Sequence, residues 1–392
     1  MTGAILAGLA GIWVQDSRTL TAVVWGVGVA GGLLSRRSKA VHVLVANLVV
    51  LAAVGGLAEG GVRAAGVLLQ DRDVPMPYRG ATYYDEAFAS ERTRFVAFTG
   101  SEGRWAERDE GRGRYRVNGA HDGVLISIVD GVRTTSGQPT NWRRTVWLLG
   151  GSTTLCGEVP DEWTIASLLQ DRIGGADGVR VVNLGVNAAS VRGNLAQLRG
   201  QVRLAAGDVV VMYGGINNVR GVMDEGARWQ AAHEVLTSRY VDPWRRRSII
   251  LRTLDDVVNA PLISYSADDM WAGLAEMEAD LRDARSIATS AGARLLFVLQ
   301  PNLFTKKTLS PYEADLAGRW EGTFRDAARH NYEAFEALVA DNPEWSVDLT
   351  SVLDASRDSP YFDWMHVSHL GNQPVAEAIH AELERRGWLS DE

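Results

Sequence analysis

From Arg144 onward the chain alternates short apolar runs with stretches of helical periodicity, and few architectures accept that pattern. A strand that is apolar on both sides must be covered on both sides, which is the condition of parallel strands joined by crossover helices. Thr145 to Leu149, Val179 to Leu184, Asp208 to Tyr213, Arg294 to Leu299 and Ser346 to Leu349 are short, apolar and often β-branched, so they are the five expected strands of an open sheet. A helix is expected from Glu162 to Ile173. Leu274, Met277, Leu281 and Ile287 follow helical spacing, with Gly292 placed for a left-handed cap. Val375, Ile379 and Leu383 repeat every four residues before Gly387, so the chain is expected to close with a helix packed on the sheet.

The first seventy residues are unlike the rest. Three uncharged stretches, Met1 to Val14, Thr19 to Ser35 and Ala40 to Ala58, are separated by charged residues. A helix needs about 20 apolar residues to cross a bilayer. The third stretch fits, the second is marginal and the first is short, so two or three transmembrane helices are expected. A cleaved signal peptide fits less well, because there is no basic n-region and the apolar character outlasts one h-region. A buried helical hairpin is the soluble alternative, but soluble helices rarely lack a polar face. The Arg36-Arg37-Ser38-Lys39 loop should face the cytoplasm, which places the large C-terminal part outside the cell membrane. Gly26, Gly28 and Gly31 match a dinucleotide-binding pattern but lie inside an apolar run, and Leu48 stands where an acidic residue is needed. Small-residue packing between helices explains them better.

The expected organisation is membrane-anchoring helices and linker at 1–75, an accessory strand-containing segment at 76–143, and an α/β domain at 144–392 with an insertion at 219–266. In the accessory segment, Asp130-Gly131 after the run Val124 to Val129 marks a hairpin turn. No chemistry is recognisable there, and the segment reads as a structural collar. The insertion carries the cluster Tyr240, Trp244, Arg245, Arg246 and Arg247, which suits a substrate cap, a face against anionic headgroups or a solvated turn.

The formal net charge of -8 argues against a nucleic-acid surface. The single cysteine, Cys156, permits no internal disulfide and behaves most often as a small buried hydrophobe. No Cys/His zinc pattern is present, and His366-Val367-Ser368-His369 lacks further ligands, so neither metal nor cofactor is expected.

In an open α/β sheet the ligand site lies beyond the carboxyl ends of the strands. The first strand runs into Gly150-Gly151-Ser152-Thr153-Thr154, a glycine-flanked turn that exposes a hydroxyl. It lacks the Lys-Ser/Thr ending of a phosphate loop. The second ends Asn183-Leu184-Gly185, whose glycine is expected to offer an unobstructed N–H, and the third ends Gly214-Gly215-Ile216-Asn217, which offers a side-chain amide. Near the C-terminus, Asp363-Trp364-Met365-His366 sets a carboxylate within reach of an imidazole. Together these are the parts of acyl transfer: a hydroxyl to attack, a base, a group to orient the base, and donors for the oxyanion.

From about Arg144 to Trp388 the chain resembles the SGNH or GDSL hydrolases, whose four blocks carry Ser, Gly, Asn and His in this order. The resemblance implies Ser152 as nucleophile, Asp363 and His366 as acid and base, and Ser152, Gly185 and Asn217 as the oxyanion hole. Two positions depart from the family pattern. Gly151 replaces the Asp of Gly-Asp-Ser, and Asn218 replaces the Asp that commonly follows the oxyanion Asn, so local hydrogen bonding should differ.

The resulting expectation is a flavodoxin-like three-layer α/β sandwich, tethered to the membrane, acting as a serine esterase on a small-molecule, glycan or lipid ester. An O-acyltransferase using the same residues, or an inactive carbohydrate-binding or scaffold protein, are the alternatives.

Overall fold

The structure is a computed structural model that describes residues 75–99, 120–174, 178–219, 267–320 and 322–390. The N-terminal apolar stretches, the insertion apart from Val219, and the cluster at Tyr240 to Arg247 lie outside the described residues. No helix among the described residues is long and apolar enough to cross a membrane.

The five expected strands all form: β4 (Arg144–Gly150), β5 (Val179–Gly185), β6 (Val209–Gly214), β7 (Arg294–Leu299) and β8 (Ser346–Asp348). They pair in parallel in the order β5-β4-β6-β7-β8. Counted along the chain this is 2-1-3-4-5, the doubly wound order whose ligand crevice opens where the order reverses, between the first and third strands. Those strands are β4 and β6, the ones that lead to Ser152 and Asn217.

The sheet is wider than the sequence suggested. Three short strands, β1 (His121–Asp122), β2 (Ser127–Val129) and β3 (Val132–Arg133), extend it to eight, each antiparallel to its neighbour. Strands of two or three residues carry no measurable alternation, so the accessory segment was expected to contain strands but not to add them to this sheet. Their hairpin turn was legible: Asp130 and Gly131 both take positive φ, 52° and 78°, as a tight two-residue turn demands.

Helices cover both faces. Alternate residues of the central strands enter two separate cores. Leu149, Leu184, Val210, Met212, Leu295 and Phe297 meet one helical layer: α4 (Val191–Gly200), α5 (Ala267–Ser290), α6 (Pro311–Gly318) and α7 (Gly322–Ala340). Val146, Leu148, Val181, Val209, Val211 and Leu296 meet the other: α3 (Ile165–Ile173) and α8 (His369–Arg385). Gly292 and Gly387 adopt the left-handed conformation after α5 and α8, as their spacing predicts. The helix expected from Glu162 starts later, at Ile165, because the Thr164 side chain accepts from Ser167 N–H and caps it there.

Residues 75–99 and 120–133 pack as a third cluster. Tyr78, together with Phe88 and Phe95 of helix α1 (Glu86–Thr99), joins Ile126 and Ile128 of the hairpin against Leu155, Val186 and Ala189. Those last three residues belong to the turns that follow β4 and β5, so this segment lies directly against the functional end of the sheet.

Candidate active site

Ser152 opens a single helical turn, α2 (Ser152–Leu155), at the end of β4. The turn is fixed at several points. Cys156 closes it at φ 54°, donating its N–H to Ser152 O. Thr153 Oγ1 donates to Gln300 Oε1 at 3.1 Å beyond β7, and Asn183 Nδ2 donates to Thr154 O at 2.9 Å. Neighbouring strand ends thus hold the serine in place, whereas a loop alone would not.

The base comes from the other end of the chain. Asp363 Oδ1 accepts the backbone N–H groups of Met365 at 2.8 Å and His366 at 2.7 Å, which folds the Asp-x-x-His segment back on itself. Asp363 Oδ2 then lies 2.6 Å from His366 Nδ1, and His366 Nε2 lies 2.8 Å from Ser152 Oγ. With a carboxylate at Nδ1, the tautomer consistent with these partners carries its proton there, leaving Nε2 to accept from the serine. The strap is closed by Phe362 N–H donating to His366 O at 2.9 Å.

Burial alone would depress the imidazole, yet His366 is raised above its ordinary value because the Asp363 hydrogen bond and the negative field of Glu158 outweigh it. Asp363 is held below the ordinary carboxylate value: burial opposes this, and the bonds from His366 and from two backbone N–H groups prevail.

The expected oxyanion donors divide. Asn217 follows β6 and donates from Nδ2 to Ala189 O at 3.1 Å, with its amide against Gly151. Gly185 does not offer the free N–H anticipated for it: that group donates to Asn183 Oδ1 at 2.9 Å. Its lack of a side chain serves packing, since a Cβ would meet the backbone of Thr154 and Leu155. Three residues on, Ala188 is exposed at φ 57°, a conformation that L residues adopt rarely.

The two departures in sequence have local explanations. Asn218 Oδ1 accepts from Val191 N–H at 3.1 Å, so an amide oxygen satisfies the first turn of α4 where a carboxylate would otherwise serve. Gly151 leaves room for the Asn217 amide.

Other candidates fall away from the chemistry. His369 Nδ1 faces Tyr83 OH at 3.1 Å, and burial lowers its pKa. Cys156 is buried, and desolvation pushes its thiol up to about 12. Among the described residues no group of three or more His, Cys, Asp or Glu side chains is arranged to hold a metal ion. Sequence reasoning missed Asn183, although a polar residue inside an apolar strand signals a buried group that must find partners. It also missed the aromatic residues of the 75–99 segment, where Tyr78 stacks on Tyr84 and lies 4.6 Å from the Phe362 ring.

No family model matches this chain, and no curated protein matches it. Similar solved structures include a member of the lipolytic protein G-D-S-L family from Veillonella parvula, 12% identical, covering 62% of this chain and 97% of that one at a TM-score of 0.36. Axe2, an acetylxylan esterase from Geobacillus stearothermophilus, is 16% identical over 64% of this chain and 99% of its own, with a TM-score of 0.36. An acetyl xylan esterase, AlAXEase, is 16% identical over 60% and 98% at 0.37. Likeness at this level bears on neither chemistry nor substrate.

Proposed function

We propose that this chain is a serine-dependent esterase of the SGNH type, cleaving an ester-linked acyl group of a cell-envelope glycan or lipid. One observation carries the reading: a hydroxyl, an imidazole and a carboxylate stand in line at 2.8 Å and 2.6 Å at the reversal point of the sheet. In this mechanism His366 takes the Ser152 proton as Oγ attacks the acyl carbonyl, and Asp363 stays ionised beside the imidazolium. The tetrahedral oxyanion is received by the Ser152 N–H and the Asn217 amide. The third donor, first expected of Gly185, falls to the exposed turn at Ala188. His366 then returns the proton to the leaving alcohol, and water releases the acyl group; a sugar hydroxyl in place of that water would make the same residues a transferase.

The full chain in detergent should hydrolyse a chromogenic acetyl ester and react with a serine-directed fluorophosphonate. Both activities should vanish in Ser152→Ala. Absence of labelling in the unmodified chain would sink the enzyme reading in favour of a binding protein.

The N-terminal apolar stretches support a membrane anchor, with the α/β domain on the extracytoplasmic side. A cysteine introduced near Glu392 should then react with an impermeant reagent in intact cells, against little background because Cys156 is buried. Reaction only after permeabilisation would reverse the orientation.

A further inference from the structure

Arg92 lies on helix α1, in the segment whose sequence shows no recognisable chemistry. Its guanidinium carbon stands 5.9 Å from the centre of the Phe362 ring. Phe362 immediately precedes Asp363, and its N–H is bonded to His366 O, so Arg92 sits against the strap that carries the acid and base. The side chain is half-buried, and its Nε is shielded from solvent with no hydrogen-bond partner. No carboxylate among the described residues forms an ion pair with it.

Among the described residues, Arg133 in the same layer has the counter-ion that Arg92 lacks. Arg133 is buried too, but it pairs with Asp161 at 2.7 Å and donates to Val159 O at 2.9 Å. Withdrawing an N–H of a cation from water without replacing its hydrogen bond is costly, so such a group calls for a partner. The Phe362 ring is not that partner, since a ring face attracts the charge but accepts none of the in-plane N–H bonds well. The Arg92 charge is also felt at Tyr78 and His366, where it opposes the field of Glu158.

We propose that Arg92 is a specificity-determining residue that receives an anionic group, carboxylate or phosphate, borne by the ester substrate. The proposal rests on the serine-esterase reading and narrows its substrate class. A planar guanidinium presents paired N–H groups that match either oxyanion, so a uronate or acidic glycan and a lipid phosphate share the recognising chemistry.

The test uses the full chain and three aryl acetates with the same acyl group: 4-acetoxybenzoate, 4-acetoxyphenyl phosphate and the neutral 4-acetoxybenzamide. The unmodified chain should favour at least one anionic ester over the neutral one by about tenfold to a hundredfold in kcat/KM, the range of a charge-assisted hydrogen bond. Whichever anion is preferred identifies the source, carboxylate or phosphate. Arg92→Gln should collapse the anionic-to-neutral ratio toward one, mainly through KM, and Arg92→Lys should keep part of it. A ratio that is already near one, or that survives Arg92→Gln while all three rates fall together, overturns the proposal and leaves only a packing role under Phe362. In those cases neutral-ester turnover and Ser152 labelling still stand, so the esterase reading survives. If neither turnover nor labelling occurs, the esterase reading fails and this proposal fails with it.

Discussion

The side-chain amide of Asn217 fills the space that a Cβ on Gly151 would occupy. The residue before the nucleophile therefore controls where the oxyanion amide stands. Gly151→Ala should push the Asn217 amide aside without disturbing the core, because the displaced atom is the end of a side chain. The expected loss is about 10- to 100-fold in kcat, smaller than the roughly 100- to 1000-fold expected for Asn217→Ala. Steady-state kinetics on both variants and the pair together decides it. If the losses multiply in the double variant, the two residues act independently and the steric account is wrong.

The Asp363–His366 pair makes activity and stability respond to pH in definite directions. Catalysis needs neutral His366, so activity is lost as pH falls through a pKa raised above 6.5. Asp363→Asn removes the strongest raising influence. The acid limb of the rate profile should move to lower pH while kcat drops on the order of 10⁴-fold, because the imidazole loses its oriented tautomer. Glu158→Gln should move the limb the same way, by less, and leave the tautomer alone. An acid limb unchanged in both variants would mean that another group titrates.

The same pair has a stability signature. His366, raised in the folded state, contributes stability that is fully present below 6.5 and is lost as pH rises through its folded pKa. Asp363, depressed in the folded state, contributes stability that is present above 3.8 and is lost as pH falls through its folded pKa. Both contributions are complete only between those values, so the difference in unfolding free energy between the unmodified chain and Asp363→Asn should be largest near pH 5. A difference that grows toward pH 9 would contradict this.

Gly185 separates packing from donation. Alanine keeps the backbone N–H but places a Cβ against Leu155 and Thr154. Overpacking of this kind costs about 1–3 kcal/mol, and the strain falls on the turn that carries Ser152. Gly185→Ala should therefore lower the thermal midpoint and the activity together. Unchanged stability and activity would show that the close approach relaxes freely.

The five parallel strands were legible because each is covered on both faces and carries its own apolar run, and the order of Ser152, Asn217 and His366 was legible because strand ends converge at one rim. What remained hidden has a common character. That β1 to β3 join the parallel sheet is not visible in strands too short for a period, and the partner of Gly185 N–H lies two residues away in Asn183, which reads in sequence as part of the strand. The segment holding Arg92 reads only as a structural collar because its contacts are with residues remote in the chain, such as Phe362. Periodicity reports local burial and is silent on which distant turn an element covers.

That covering segment is itself held by a charge, which yields the last test. Arg133, at the end of β3, is 1% exposed and pairs with Asp161 at 2.7 Å, while Asp161 also accepts Ser127 N–H at 3.1 Å. Arg133→Met leaves the carboxylate buried without its cation, a change that typically costs about 3–5 kcal/mol. Asp161 is already raised by burial, which outweighs the Arg133 charge and the hydrogen bonds that lower it, so removing the arginine raises it further. The penalty exists only while the carboxylate is ionised, so destabilisation should be larger at pH 8 than at pH 5 in chemical unfolding. Adding Asp161→Asn should recover part of the loss at pH 8, where it removes the unpaired charge. Because the same segment packs on Leu155 and Val186, on the turns either side of the reacting groups, ester turnover should fall as this layer loosens. A pH-independent loss would mean that Arg133 matters for its volume and its stacking on Phe95 rather than for its charge.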